Sequence, residues 1–324
     1  MKSPFDKNLD MSISKRIESK KIIDGYRLIN VDVERYFLNL TCLELLICPS
    51  TGYKQYYPVV CGDSSFYESL QKFDWYYSSH RWIYDEIMPF LRHNYKLLEI
   101  GCGQGYFLKR ARNYVEECVG LELNEKCVKK CTAEGLTVYP LLIQDFSKDY
   151  NDYFDIVCFF EVLEHVPDTR AFIEHSYKVL KKGGYLILSV PNNKSLFFKY
   201  GLDVPKEFFL SDDEYRAYYL SSILNLPPHH VSLWDKDSIL SVFSQYGYSV
   251  VKISYEPVYP AWIQRYFQIL KYSLFLKASP LHNLLSPLTI KLLSHFSKLL
   301  MNKVGIKLAF IKGHSIAVIL KKDE

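Results

Sequence analysis

Residues Lys96 to Glu122 read KLLEIGCGQGYFLKRARNYVEECVGLE, and the architecture of the chain follows from them. Leu97-Leu98-Glu99-Ile100 is a short apolar run that predicts a buried strand. Gly101, Gly103 and Gly105 follow at alternate positions. A helical pattern begins near Gln104, with Phe107, Leu108 and Ala111 on one side and Lys109, Arg110 and Arg112 on the other. A second strand, Cys118-Val119-Gly120-Leu121, ends on Glu122. Glycines between a strand and a helix let the backbone approach a ligand that a Cβ would hold off. An acid closing the next strand is placed to accept hydrogen bonds from ribose hydroxyls.

The spacing separates two kinds of cofactor. A dinucleotide fingerprint, G-x-G-x-x-G, needs its third glycine where this chain has Tyr106. The run E-x-G-x-G-x-G from Glu99 to Gly105 instead resembles motif I of the class I S-adenosylmethionine-dependent methyltransferases. That resemblance implies that Glu99, Gly101, Cys102, Gly103 and Gly105 run under the amino-acid part of S-adenosylmethionine. It also implies that Glu122, with Leu123 beside it, holds the ribose. Thr137 to Leu142 is strand-like and leads to Gln144-Asp145-Phe146. In the family an acid here accepts from the adenine amine and its apolar neighbour packs on the ring, which Asp145 and Phe146 match. Read from the residues alone, Asp145 can equally be an acid that ends a strand.

Tyr153 to Phe160 is almost continuously apolar, as a central parallel strand buried on both faces is. It runs into Glu161-Val162-Leu163-Glu164-His165-Val166-Pro167-Asp168. The phrase VLEHVPD resembles the same family, including its ubiquinone-biosynthesis O-methyltransferases. The resemblance places Phe160, Glu161 and the residues after them against the methionine part of the cofactor and the substrate. His165 is then a pocket residue, with its role as base, substrate contact or cap left open.

Ala171 to Leu180 predicts an amphipathic helix ended by Lys181-Lys182-Gly183-Gly184, and Tyr185 to Val190 a fifth strand. A helix from Asp235 to Tyr246 and a strand from Tyr248 to Tyr255 follow, and Gly313 to Leu320 supplies a seventh strand. This alternation predicts an α/β, Rossmann-like, doubly wound sheet of seven strands. The division expected is a cap over 1–75, a core over 76–256, a helical insert over 257–312 and the last core strand over 313–324.

Within the cap, Cys48-Pro49-Ser50-Thr51-Gly52 resembles one knuckle of a zinc ribbon, but Thr51 stands where a second cysteine belongs. Cys42 and Cys61 do not complete a set, so a metal-free, β-rich cap is expected and no metal is assigned. The aromatic segment from Asp63 to Phe90, with Phe66-Tyr67, Trp75-Tyr76-Tyr77 and Trp82, resembles the region before the core in a bacterial subgroup of these enzymes. Tyr76 and Tyr77 are its candidates for reaching the cofactor, while the rest pack helices on the sheet.

Between Pro191 and Trp234 the alternation breaks into a long aromatic connection, the kind that forms lids and binding loops. It ends in Pro227-Pro228-His229-His230. The same subgroup carries PPHH here, which places the histidines near the pocket mouth. Either could take a proton from an acceptor, or one could cap the next helix while the other packs. His230, His229 and His165 are the candidate catalytic residues.

Residues 257–312 contain no Asp or Glu but carry Arg265, Lys271, Lys277, Lys291, Lys298, Lys303 and Lys307 among others. Ser286 and Pro287 start a helix whose Leu288, Leu292, Phe296 and Leu299 share a face. Such an insert is either an interfacial membrane segment that favours anionic lipid or a helical cap and dimer contact.

With 324 residues, 48% of them hydrophobic, the chain supports a sizeable core and is not a disordered tail. A net charge of +4 gives no reason to expect nucleic acid. No leader is visible in the polar N-terminus and eight irregularly spaced cysteines suggest reduced thiols, so a cytoplasmic site is expected, peripheral at the inner membrane face if the insert is interfacial. The reading as a whole is a methyltransferase using S-adenosylmethionine and yielding S-adenosylhomocysteine. The acceptor is a small molecule, a sugar or a lipid-linked compound, and the oligomeric state is open. The alternative is a non-catalytic binding protein or membrane-associated module on the same fold.

Overall fold

The computed structural model describes residues 1–73, 76, 79–277, 280–304 and 313–324, the side chains of 197, 280, 282 and 300–304 excepted. Tyr77 and Trp75 lie outside the described residues. Among the described residues there are eleven strands: β1 (Ser12–Glu18), β2 (Cys42–Ile47), β3 (Lys54–Tyr57), β4 (Lys96–Ile100), β5 (Glu117–Leu121), β6 (Thr137–Tyr139), β7 (Phe154–Phe160), β8 (Leu180–Pro191), β9 (Ser232–Leu233), β10 (Tyr248–Tyr255) and β11 (Ser315–Lys322). Seven of them form one sheet in the order β6-β5-β4-β7-β8-β11-β10. Pairings from β6 to β8 are parallel, and β11 runs antiparallel between β8 and β10.

Why β7 sits at the centre is visible in its residues. Ile156, Cys158 and Phe160 face one core cluster with Leu97, Phe107 and Tyr84, while Val157 and Phe159 face the other with Leu98, Phe172 and Ile239. Helices Trp82–Ile87 and Tyr106–Ala111 cover the first face, and helices Thr169–Val179 and Lys236–Ser244 cover the second. Apolar residues at every position from Ile156 to Phe160 are therefore required, since neither face meets water there.

Two boundaries differ from expectation. The helix after the glycine loop begins at Tyr106, because Gly105 takes φ +69 and cannot be its first helical residue. Lys181 to Gly184 do not terminate a helix but belong to the start of β8. Phe154 pairs with Leu180 and Ile156 with Tyr185, so the two lysines and two glycines bulge out of the ladder. Gly183 has φ +72, which the bulge needs and a Cβ would oppose.

The cap is a second sheet, antiparallel, in the order β1-β2-β3-β9. Its fourth strand comes from residues 232–233, inside the expected core range, so cap and core share one chain segment. Trp234, 1% exposed, packs against Tyr53 at 4.9 Å and Phe5 at 6.4 Å between ring centroids. Cys42 opens β2 and Cys48 lies just past its end, roughly 20 Å away for an extended strand. They cannot share an ion with Cys61. Cys48 instead lies within hydrogen-bonding distance of Ser3 and Ser50, its Sγ 3.1 Å and 3.3 Å from their Oγ atoms.

In the insert, helix Ile263–Leu276 buries Ile263, Tyr266, Ile269 and Tyr272 against Val204, Phe209 and Tyr218. Helix Pro287–Val304 starts as expected, with the Thr289 amide donating to Ser286 Oγ at 3.1 Å. Among the described residues no helix is long and apolar enough to cross a membrane.

Candidate functional site

The carboxyl ends of β4, β5 and β7 meet at the glycine loop. Gly101, Gly103 and Gly105 all have positive φ, at +74, +53 and +69. A Cβ on Gly101 would lie 2.6 Å from Cγ2 of Val162, so only glycine lets this turn lie against the segment after β7. Several loop amides are already paired: Gly101 and Cys102 donate to the Leu121 carbonyl at 2.8 and 3.0 Å, and Gly105 to the Cys102 carbonyl at 2.9 Å. Gly103 donates to Glu122 Oε2 at 2.8 Å. A pyrophosphate site needs an array of amides facing outward. With the Gly101, Cys102, Gly103 and Gly105 amides turned to the protein's own acceptors, what these residues offer is close backbone approach, which suits a cofactor lacking phosphate.

Glu122 closes β5 and is fixed at both oxygens, since Asn124 N–H donates to Oε1 at 2.8 Å. A carboxylate oxygen accepts more than one hydrogen bond, so the group keeps acceptor sites in a set orientation. Tyr76 lies in its electrostatic reach, and burial followed by the Glu122 charge raises its pKa.

The other expected cofactor contacts divide. Leu123 is 61% exposed beside Glu122, and Asp145 is exposed and bridged to Lys148 at 2.7 Å. Phe146, expected to pack on an adenine ring, is instead 3% exposed and stacked on Tyr150 at 4.4 Å, so its face is taken by the core. The apolar surface near Asp145 is Leu142, 50% exposed, which the sequence reading passed over. Cys102 and Phe160 also turn their side chains into the core, leaving only backbone toward the loop. Glu99 lies buried beneath the loop, and burial raises its pKa well above the carboxylate range.

The end of β7 is strained. Glu161 takes φ +54, a left-handed conformation costing on the order of 1 kcal/mol for a residue with a Cβ. Ser189 Oγ donates to its Oε1 at 2.9 Å, and the Glu161 amide donates to the Ser189 carbonyl. Beside it at the same edge, Glu256 follows β10. Its pKa is pushed up to about 7 by burial and the Glu161 charge, against the Ser315 amide at 3.3 Å. Arg81 is the cation that acts on Glu99, Glu161, Glu164 and Glu256 together. Sequence reasoning did not single out Arg81, Glu164 or Glu256. Their common location arises from strands distant in sequence, and Glu164 alone carried a signal, lying beside His165.

His165, His229 and His230 come together. Ring centroids are 4.6 Å apart for His165 and His229, 4.9 Å for His165 and His230, and 4.5 Å for the stacked His229 and His230. The 227–231 turn is pinned from both sides: the Val231 amide donates to the Glu164 carbonyl at 2.8 Å, and the Tyr56 amide from the cap donates to the Val231 carbonyl at 2.9 Å. None of the three caps the next helix, because Asp235 does so itself through a capping box. Burial lowers all three pKa values, that of His165 to about 4, so the rings are neutral near pH 7.

Residues 77–253 match the model of a family described as a methyltransferase domain. Among curated relatives, the ubiquinone biosynthesis O-methyltransferase of Proteus mirabilis is 28% identical over 36% of this chain and 49% of its own length. That of Bartonella quintana is 32% identical over 33% of this chain and 44% of its own length. The chain thus spans about half the length of these relatives. A SAM dependent methyltransferase structure from Archaeoglobus fulgidus is similar over 80% of this chain and 100% of that one, at 19% identity and a TM-score of 0.49.

Proposed function

The chain belongs to the methyltransferase-domain family, and from that premise we propose that it transfers a methyl group from S-adenosylmethionine to a hydroxyl of a small-molecule acceptor. The observation that carries this reading is Glu122, clamped by the Gly103 and Asn124 amides beside a glycine loop whose Gly101, Cys102, Gly103 and Gly105 amides are already paired. S-adenosylmethionine, when bound, supplies a methyl group already activated on a sulfonium. The residues present fit it: the bare turn at Gly101 admits its amino-acid end, Glu122 accepts from its ribose, and Asp145 with Leu123 and Leu142 flanks its base. What the protein then contributes is alignment of acceptor and methyl carbon and exclusion of water. Oxygen as the methylated atom is supported by the names of the relatives. The neutral histidine cluster is the group proposed to act on the acceptor hydroxyl.

Calorimetric titration with S-adenosylhomocysteine tests the cofactor. The wild type should bind, and Glu122→Ala should bind roughly tenfold to a hundredfold more weakly, as loss of charge-assisted hydrogen bonds implies. No binding to the wild type would refute the reading.

We also propose that the insert rests on an anionic membrane surface and that the acceptor is a lipid or lipid-linked compound. In support, Leu288, Leu292 and Phe296 are each more than 60% exposed on a helix whose other faces carry Lys291 and Lys298.

A further inference from the structure

Each of the three clustered imidazoles is anchored through Nδ1. His165 donates to the His229 carbonyl at 2.6 Å, His229 to the Leu224 carbonyl at 2.8 Å, and His230 to Asn225 Oδ1 at 2.8 Å. A carbonyl or amide oxygen only accepts, so the hydrogen sits on Nδ1 and the lone pair on Nε2 in all three rings. An Nδ1 tied to a fixed acceptor sets the tautomer and aims Nε2, as it does behind metal-ligating histidines. One nitrogen from each ring lies within 4.8 Å of the others. Ligand nitrogens on a tetrahedral zinc are roughly 3.4 Å apart, so modest ring movement closes the set. With each Nδ1 taken, Nε2 is the nitrogen that each ring has left to offer an ion.

A second, independent observation points the same way. Glu164 is 1% exposed and neither of its carboxylate oxygens has a hydrogen-bond partner. Its Oε1 stands 3.8 Å from Nε2 of His165. A buried carboxylate without donors is costly and calls for a partner, and an ion is one that fits beside three imidazoles.

The geometry points to a divalent transition-metal site formed by Nε2 of His165, His229 and His230, with Glu164 beside it balancing charge. Imidazole ligands suit zinc first, then iron, nickel or copper. Three histidines leave a coordination position for an acceptor oxygen, whose hydroxyl the ion would make more acidic. The presence of the ion does not depend on the methyl-transfer reading; only that role does. Sequence spacing carried no sign of it, because His165 is 64 residues from His229.

The test uses the full chain purified without chelator, with metal content measured directly, then stripped and titrated with Co²⁺ while visible absorption is followed. The expected result is about one ion per chain and a cobalt spectrum of nitrogen and oxygen ligation. Both should be lost in His165→Ala and in His230→Ala. Glu164→Gln, which keeps the shape, should weaken cobalt binding several-fold, and it serves if the alanine variants do not fold. Three results would each overturn the proposal: a folded wild type that takes up neither zinc nor cobalt, a thiolate-to-cobalt band marking cysteine ligation, or undiminished binding in a folded His165→Ala. S-adenosylhomocysteine titration of the stripped protein reads the cofactor site separately, so failure of one reading is distinguishable from failure of the other.

Discussion

At Gly101 the chain turns with φ +74 directly against Val162. Gly101→Ala should cost about 1–3 kcal/mol in urea denaturation and weaken S-adenosylhomocysteine binding, because a left-handed conformation and a steric clash act together. Unchanged stability would mean that the turn has room the geometry does not show. Glu256 gives a pH signature. Its pKa, about 7 in the folded chain against 4.5 for an ordinary glutamate, is raised by burial and then by Glu161. The folded state therefore holds a proton that the unfolded chain releases, so this contribution is complete below pH 4.5 and is lost as pH rises through 7. It amounts to roughly 3 kcal/mol. Glu256→Gln should flatten the fall in stability across that window relative to wild type, measured by chemical denaturation at several pH values. Residues such as Gly101 and Glu122 were legible in the sequence because a turn and a strand end are local. Phe146 was misread because its neighbour Tyr150 and the wall of Phe154 decide where its ring goes, and neither is part of a cofactor motif.

At the scale of elements, the central strands and the start of the last helix were legible because each rests on a short pattern: the apolar run of β7 and the Ser286-Pro287 start. The bulge at Lys181 to Gly184 was not, since two lysines and two glycines suit a helix end as well as a looped-out strand start. Only pairing with β7 and β11 chooses between them. The helix Pro287–Val304 makes its own prediction. Vesicles containing anionic phospholipid should retain the wild type at low salt and release it as salt rises, since lysines supply part of the attraction. Leu292→Asp with Phe296→Asp should abolish retention without lowering the melting temperature, because both side chains are exposed. Retention by neutral vesicles alone, or none at all, would remove the membrane from the account.

For the whole molecule, cap and core share a strand and a buried aromatic contact, and they should unfold together. Strand β9 hydrogen-bonds to β3 of the cap, and Trp234 immediately after it packs against the Phe5–Tyr53 pair. Trp234→Ala should therefore lower stability by about 3–5 kcal/mol while unfolding stays a single transition by circular dichroism. Two separated transitions would show that the cap folds by itself. The joint was not legible in the sequence, because two residues are too few to announce a strand. The position of β11 has a consequence for biosynthesis. It lies between β8 and β10, yet Ser315 emerges 60 residues after Tyr255, counting from 255 to 315. At about 5–20 residues per second a ribosome takes roughly 3–12 seconds over that interval. Throughout it the nascent chain carries the long β8 with one edge bare, a template for any passing strand. The chain is thus most exposed to misassembly between the synthesis of β10 and that of β11, and that is the interval in which a chaperone would be needed.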